Sequence, residues 1–161
     1  MKYSYMVVVF IDSLAEGQIV EPPKLPHITI KKKFKLLDIN ETQLINMLQT
    51  KENIKGVLEL RLGDTKDYDS EDNKVVEVLN PDSWVDLHNK LINYLGKHIE
   101  SRDGHFEGVN YLPHMTWKLK GSIMFDPKPL CNTIRVINSI YLIKRLDPQI
   151  TRAKILALIN I

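Results

Sequence analysis

The chain has 161 residues and a single cysteine, Cys131. That excludes an intrachain disulfide and a cysteine-based zinc cluster, and it fits a reducing compartment. Long apolar runs are also missing. Met6 to Ile11 is the most apolar early stretch, and Asp12 ends it. It is too short to span a bilayer and lacks a signal-peptide layout, so a cytoplasmic chain with no membrane partner is expected. Charge of one sign is scarce: 22 basic side chains face 20 acidic ones, for a net charge of +2. That balance argues against broad, salt-driven duplex binding and leaves room for a local basic pocket. Linkers, heptads and low-complexity tracts are absent, as is any cluster with metal-ligand spacing, so no metal and no cofactor are expected. No obligate protein partner is implied. What is present is ordinary, with 43% hydrophobic and 26% charged residues, enough for one globular domain over residues 1–161.

Hydrophobic periodicity divides the chain into strands and two helices. Tyr3 to Ile11 reads as a first strand, followed by a loop over Asp12 to Lys24 that holds Gly17 and Pro22-Pro23. A second strand runs from His27 to about Leu37, opened by Pro26. Asn40 followed by Gln43 is a capping-box pattern, and Leu44, Ile45 and Leu48 give the helix after it an apolar face. Val57 to Leu62 alternates like a strand, the polar stretch Gly63 to Asn73 reads as a turn or loop, and Lys74 to Leu79 reads as another strand. The strongest helical pattern spans Asp82 to Ile99, with Trp84, Leu87, Leu91, Leu95 and Ile99 on one side. A glycine-containing loop over Ser101 to Tyr111 leads to a strand ending near Lys120. Arg135 to Lys144 and Ala153 to Ile159 are the closing strands, with a turn at Asp147-Pro148. This order predicts an α+β fold of two similar antiparallel sheets, each backed by a helix.

One internal repeat stands out. Pro26-His27-Ile28-Thr29-Ile30-Lys31 and Pro113-His114-Met115-Thr116-Trp117-Lys118 both read Pro-His-apolar-Thr-apolar-Lys, one in each half of the chain. Strand alternation places His27, Thr29 and Lys31 on one face and Ile28 and Ile30 on the other; His114, Thr116 and Lys118 follow the same rule against Met115 and Trp117. Each strand then buries its apolar residues and turns a His-Thr-Lys row toward a cleft. Phosphodiester chemistry needs a base for the attacking oxygen and an acid for the leaving oxygen. Histidine, with an ordinary pKa of about 6.5, suits both roles. Threonine hydroxyls can donate to the charged non-bridging oxygens, and lysines can neutralise them. This chemistry calls for no metal.

At these residues the chain resembles the 2H phosphoesterase superfamily of LigT-like RNA ligases and cyclic phosphodiesterases, whose hallmark is two His-x-Thr/Ser-apolar tetrapeptides. Here they are His27-Ile28-Thr29-Ile30 and His114-Met115-Thr116-Trp117. Leu25-Pro26 and Phe34 around the first motif, and Tyr111-Leu112-Pro113 before the second, add to the likeness. The resemblance implies a bilobal, pseudo-twofold fold whose central cleft brings both motifs onto one phosphate. It implies His27 and His114 as the acid–base pair and Thr29 and Thr116 as phosphate ligands. The implied substrate is a small nucleotide or RNA end carrying a 2',3'-cyclic phosphate or a 2'-linked phosphodiester. Hydrolysis, 2'-5' ligation, cleavage of a cyclic or 2'-5' oligonucleotide signal, and a non-catalytic nucleotide-binding module all remain open. The short, proline-rich Asp12–Lys24 stretch suggests a more open cleft than in relatives with a helix there.

Lys31, Lys118 and Tyr111 are candidate substrate-binding residues. Lys31 to Lys35 is also what a solvated edge strand looks like. Tyr111, Phe34 and Trp117 are candidates for base stacking, although alternation favours the core for Trp117. His88 and His98 read as ordinary helix residues, and His105 as a loop residue.

Overall fold

A computed structural model describes residues 3–54, 56, 58–101, 107–147 and 152–161. Val57, His105 and Pro148, read above as strand, loop and turn residues, lie outside the described residues. The fold is α+β, with two antiparallel sheets and two α-helices among the described residues. In chain order they are β1 (Tyr5–Phe10), β2 (Ile19–Val20), β3 (His27–Leu36), α1 (Glu41–Thr50), β4 (Leu58–Tyr68), β5 (Ser70–Val78) and α2 (Pro81–Leu95). They continue with β6 (Ile99–Ser101), β7 (His114–Leu119), β8 (Ser122–Ile123), β9 (Ile134–Ile137), β10 (Ser139–Arg145) and β11 (Ala153–Asn160). The first sheet has the order β2-β11-β10-β1-β3-β6 and the second β8-β7-β5-β4-β9. Each sheet therefore carries one motif strand, β3 in the first and β7 in the second. No described helix is long and apolar enough to cross a membrane.

The apolar half of each motif does what alternation requires. Ile28, Ile30 and Met115 are fully buried in one core that also takes Val7, Val9, Leu60, Val76 and the apolar sides of both helices. The capping box at α1 is formed: the Gln43 N–H donates to Asn40 Oδ1 at 2.9 Å, and the Asn40 N–H donates to Gln43 Oε1 at 2.8 Å. Leu44 and Leu48 of that helix are buried. In α2, the buried Trp84 donates from Nε1 to the Glu59 carbonyl of β4 at 3.3 Å, which ties the helix to the second sheet.

Four expectations are corrected. The second helix stops at Leu95 because Gly96 takes φ +34° and its N–H caps the Ile92 carbonyl; Ile99 begins β6 instead. The polar stretch Gly63 to Asn73 is a β-hairpin turning at Asp69, with φ +60°. Its arms are joined by Lys74–Asp67 at 2.7 Å and Lys66–Glu77 at 3.2 Å. Arg135 to Lys144 is two strands: the chain passes at Asn138 from β9, paired with β4, to β10, paired with β1 and β11. The Asp12–Lys24 stretch is not an open loop. It supplies β2, which pairs with β11, and a 3-10 turn over Pro22–Lys24. Its Leu14 and Val20 pack with Val8, Phe10 and Tyr141 on the face of the first sheet opposite the helices.

Candidate active site

Both motif histidines are fixed by the same local device. Leu25, which precedes Pro26, is extended at φ −110° and ψ 136°, as a residue before proline must be. Its carbonyl lies 2.8 Å from Nδ1 of His27. In the second motif the Leu112 carbonyl lies 2.8 Å from Nδ1 of His114. Each carbonyl accepts the Nδ1–H, so proton exchange falls to Nε2. Both rings are half-buried.

The strands β3 and β7 belong to different sheets, yet they approach within 8 Å between Cα atoms. Two cavities lie along this junction, and the motifs cross between them. One, of about 140 Å³, is lined by His27 of the first motif and Thr116 of the second, with Pro23, Leu119 and Met124. The other, of about 40 Å³, is lined by His114 of the second motif and Thr29 of the first, with Lys32, Tyr68, Asn110 and Tyr111 among its walls. Each histidine is thus paired with the threonine of the other copy.

Burial pushes the pKa of both histidines below the ordinary histidine value, because a desolvated imidazole resists charging. For His27 the Leu25 and Pro22 carbonyls oppose that shift. For His114 the Leu112 carbonyl opposes it, while the charges of Lys32, His27 and Lys66 reinforce it. The influence of His27 on His114 also reflects how near the two motifs lie. The rings differ in company. Tyr68 stacks on His114 with centroids 4.5 Å apart and planes at 25°, whereas His27 meets Phe10 at 5.8 Å and 55°.

The lysines of the repeat do not continue the rows. Opposite β1, Val8 pairs with Thr29 but Val7 pairs with Lys31, so β3 carries an extra residue directly after the motif threonine. Opposite β5, Val75 pairs with Thr116 but Lys74 pairs with Lys118, so β7 bulges at the same offset. A one-residue bulge resets side-chain alternation. Lys31 is consequently fully buried, where it forms an ion pair with Glu107 and donates to the Lys32 carbonyl at 3.2 Å. Lys32 takes the place on the cavity wall that alternation assigned to Lys31. Lys118 lines neither cavity, and its ammonium reaches the Glu71 carbonyl at 3.4 Å.

The bulge in β3 is stabilised from α2 and from the segment entering β7. Tyr111 donates its hydroxyl to the Thr29 carbonyl at 2.9 Å. His88, almost fully buried on α2, faces the Ile30 carbonyl through Nδ1 at 2.6 Å and accepts the Gly108 N–H at Nε2 at 3.0 Å. The two rings stack face to face, with centroids 3.9 Å apart and planes at 6°. Tyr111 therefore lines the smaller cavity with one ring face already occupied. Phe34 is fully buried against Tyr5 at 5.9 Å, which removes it as a stacking platform, and Trp117 packs against the core. Among the described residues no group of three or more His, Cys, Asp or Glu side chains is arranged to hold a metal ion.

No protein-family model matches the sequence, and no curated protein sequence matches it. Solved structures do match in fold. A crystal structure of a phosphoesterase aligns with a TM-score of 0.62 at 11% identity, covering 100% of both chains. E. coli LigT, solved in complex with NADP+, aligns with a TM-score of 0.61 at 12% identity, covering 99% of this chain and 98% of its own. The protein TT0787 of Thermus thermophilus aligns with a TM-score of 0.59 at 13% identity, covering 98% and 97%. The chain has a LigT-like fold. At such low identity the likeness is one of architecture. Within this LigT-like fold, Lys32, Tyr68, Asn110 and Pro23 line the two cavities although the sequence did not single them out. Tyr68 left one usable trace: it is the lone aromatic in an otherwise polar stretch.

Proposed function

We propose that this chain is a phosphodiesterase that opens a 2',3'-cyclic phosphate, or cleaves a 2'-linked phosphodiester, of a nucleotide or RNA end by two-histidine acid–base catalysis. The observation that carries this reading is the crossed arrangement, in which each histidine shares a cavity with the opposite threonine. A phosphate at the junction would meet two imidazoles on opposite sides and two hydroxyls. Burial lowers the pKa of both histidines, and only His114 also has the charges of Lys32 and Lys66 beside it, which favours His114 as the base and leaves His27 as the acid. The base takes a proton from the attacking oxygen as that oxygen bonds to phosphorus. The bond from phosphorus to the nucleoside oxygen breaks, and His27 protonates that oxygen as it leaves. Thr29 and Thr116 donate to the non-bridging oxygens, which gather charge in between. Acid, base and anion donors all come from side chains, so the scheme needs no metal. LigT was solved in complex with NADP+, whose adenosine ribose carries a 2'-phosphate, and this supports a phosphate-bearing nucleotide as the ligand class.

The test is a mass-spectrometric screen of 2',3'-cyclic mononucleotides, 2'-5' oligonucleotides and cyclic dinucleotides with chelator present. His27→Ala and His114→Ala should each lower turnover by about 10²–10⁴-fold, the range of general acid–base assistance. Turnover close to wild type in either variant would show that the mechanism is wrong.

A further inference from the structure

The two ends of the cleft differ in size and in chemistry, which bears on what attacks the phosphate. The His27 end is the larger, about 140 Å³, and apart from His27 and Thr116 its walls are apolar: Pro23, Leu119 and Met124. The His114 end is about 40 Å³. A site needs roughly 10–15 Å³ of such space per water, so this end has room for a water or a few, against several times that space at the His27 end. Tyr68, stacked on the His114 ring at 4.5 Å, forms part of its wall together with Lys32 and Asn110. Tyr68 is held there by the hairpin, which turns at Asp69 immediately after it and is braced by Lys74–Asp67 and by Asn73 Nδ2 donating to Asp69 Oδ1 at 2.9 Å.

We propose that Tyr68 is the residue that selects water as nucleophile, making this cleft a hydrolase site that excludes transfer onto a sugar hydroxyl. The proposal rests on the phosphodiesterase reading given above. The nucleoside lies at the His27 end on the apolar walls. A water at the His114 end gives its proton to Nε2 of His114 and forms the new O–P bond. The bond from phosphorus to the nucleoside oxygen breaks, and that oxygen takes the proton from Nε2 of His27. The net change is addition of one water, and the two histidines return to their starting states by exchanging protons with solvent. With an alcohol in place of water the same steps give a diester, so the ratio of diester to monoester reports the nucleophile space directly.

The experiment opens a 2',3'-cyclic mononucleotide with the full chain in the presence of methanol, glycerol or adenosine as acceptor, and mass spectrometry reads diester against monoester. Wild type should give monoester with adenosine and glycerol present, with diester only from methanol. Tyr68→Ala should raise the diester fraction from adenosine tenfold or more, and Tyr68→Phe, which keeps the ring, should retain the wild-type ratio. A wild-type enzyme that transfers to adenosine as readily as to methanol overturns the proposal without any variant, so a poorly folded Tyr68→Ala cannot shelter it. An unchanged ratio in a folded Tyr68→Ala, confirmed by its thermal transition, overturns it as well. No turnover of any cyclic phosphate or diester by wild type overturns the phosphodiesterase reading and this proposal together, whereas turnover with the wrong acceptor pattern overturns this proposal alone.

Discussion

Replacing His88 by leucine should lower stability by an amount that itself depends on pH. His88 serves two backbone groups: the Ile30 carbonyl at the β3 bulge and the Gly108 N–H of the segment entering β7. Leucine fills similar space and leaves both groups without their partner. An orphaned buried polar group costs about 1–3 kcal/mol, with Ile30 toward the upper end because its bond is fully buried and Gly108 toward the lower end. Loss of the stack on Tyr111 adds roughly 0.5–1.5 kcal/mol. The total near neutral pH is therefore about 5 kcal/mol, a large part of the ~5–15 kcal/mol that holds a typical domain together. Burial and the nearby Lys31 charge lower the His88 pKa, against the opposing effects of the Ile30 carbonyl and Glu107. The folded ring stays neutral where the unfolded one takes a proton. A lowered histidine pKa gives stability that is complete above the unfolded value near 6.5 and is lost as pH falls below it. The leucine variant has no such group to lose. The gap between the two proteins should thus be constant above pH 7 and shrink below 6.5, by at most ~1.4 kcal/mol per pH unit. His27 and His114 contribute similar losses to both proteins, so they cancel in the difference. Urea titrations at pH 5.0, 6.0 and 7.5, followed by the fluorescence of buried Trp84, measure it. A gap below about 1 kcal/mol at pH 7.5, or one that stays constant down to pH 5, would refute the reasoning.

Two further outcomes follow from the same geometry. The pH profile of kcat/KM, which reports the free enzyme, should be bell-shaped with its maximum on the acid side of 6.5, because burial lowers both catalytic histidines and so moves both limbs down. Raising salt should screen Lys32 and Lys66 and move the acid limb upward; a maximum above pH 7 would contradict the assignment. Lys31→Met should strip a buried cation from Glu107 and destabilise the fold by roughly 3–5 kcal/mol in urea titration, while leaving KM of the folded fraction nearly unchanged. A variant that kept its stability but lost substrate affinity would restore Lys31 to the substrate.

Much of the architecture was legible because the apolar positions obey a simple period. Ile28, Ile30 and Met115 were assigned to the core by alternation alone, and all three are fully buried there. The α1 cap was readable from Asn40 and Gln43, two residues that satisfy each other's backbone. The outer half of the β4–β5 hairpin was not legible, because it lies beyond the core. Polar on both faces, it carries no hydrophobic period, and its pairing rests on ion pairs that a linear sequence does not align. Tyr68 was missed for the same reason: its partner His114 lies in another strand, and only the hairpin's reach brings the rings together.

The repeated lysine shows how a complete-looking motif can combine two kinds of residue. Alternation extends a motif along a strand only while the ladder stays regular, and in both copies the ladder slips one residue after the threonine. The slip preserves the His-Thr offset on which phosphate chemistry depends and discards the offset to lysine. It also leaves the Thr29 and Ile30 carbonyls to be met by Tyr111 and His88, which explains why a helix histidine with no place in the motif is buried beside it. Lys31 is consequently part of the frame, paired with Glu107, and the cation on the cavity wall is its neighbour Lys32. On that division of labour, turnover in the proposed cleft should tolerate exchange of Lys31 for any residue that keeps the frame intact and should fall when Lys32, one place further along, is replaced.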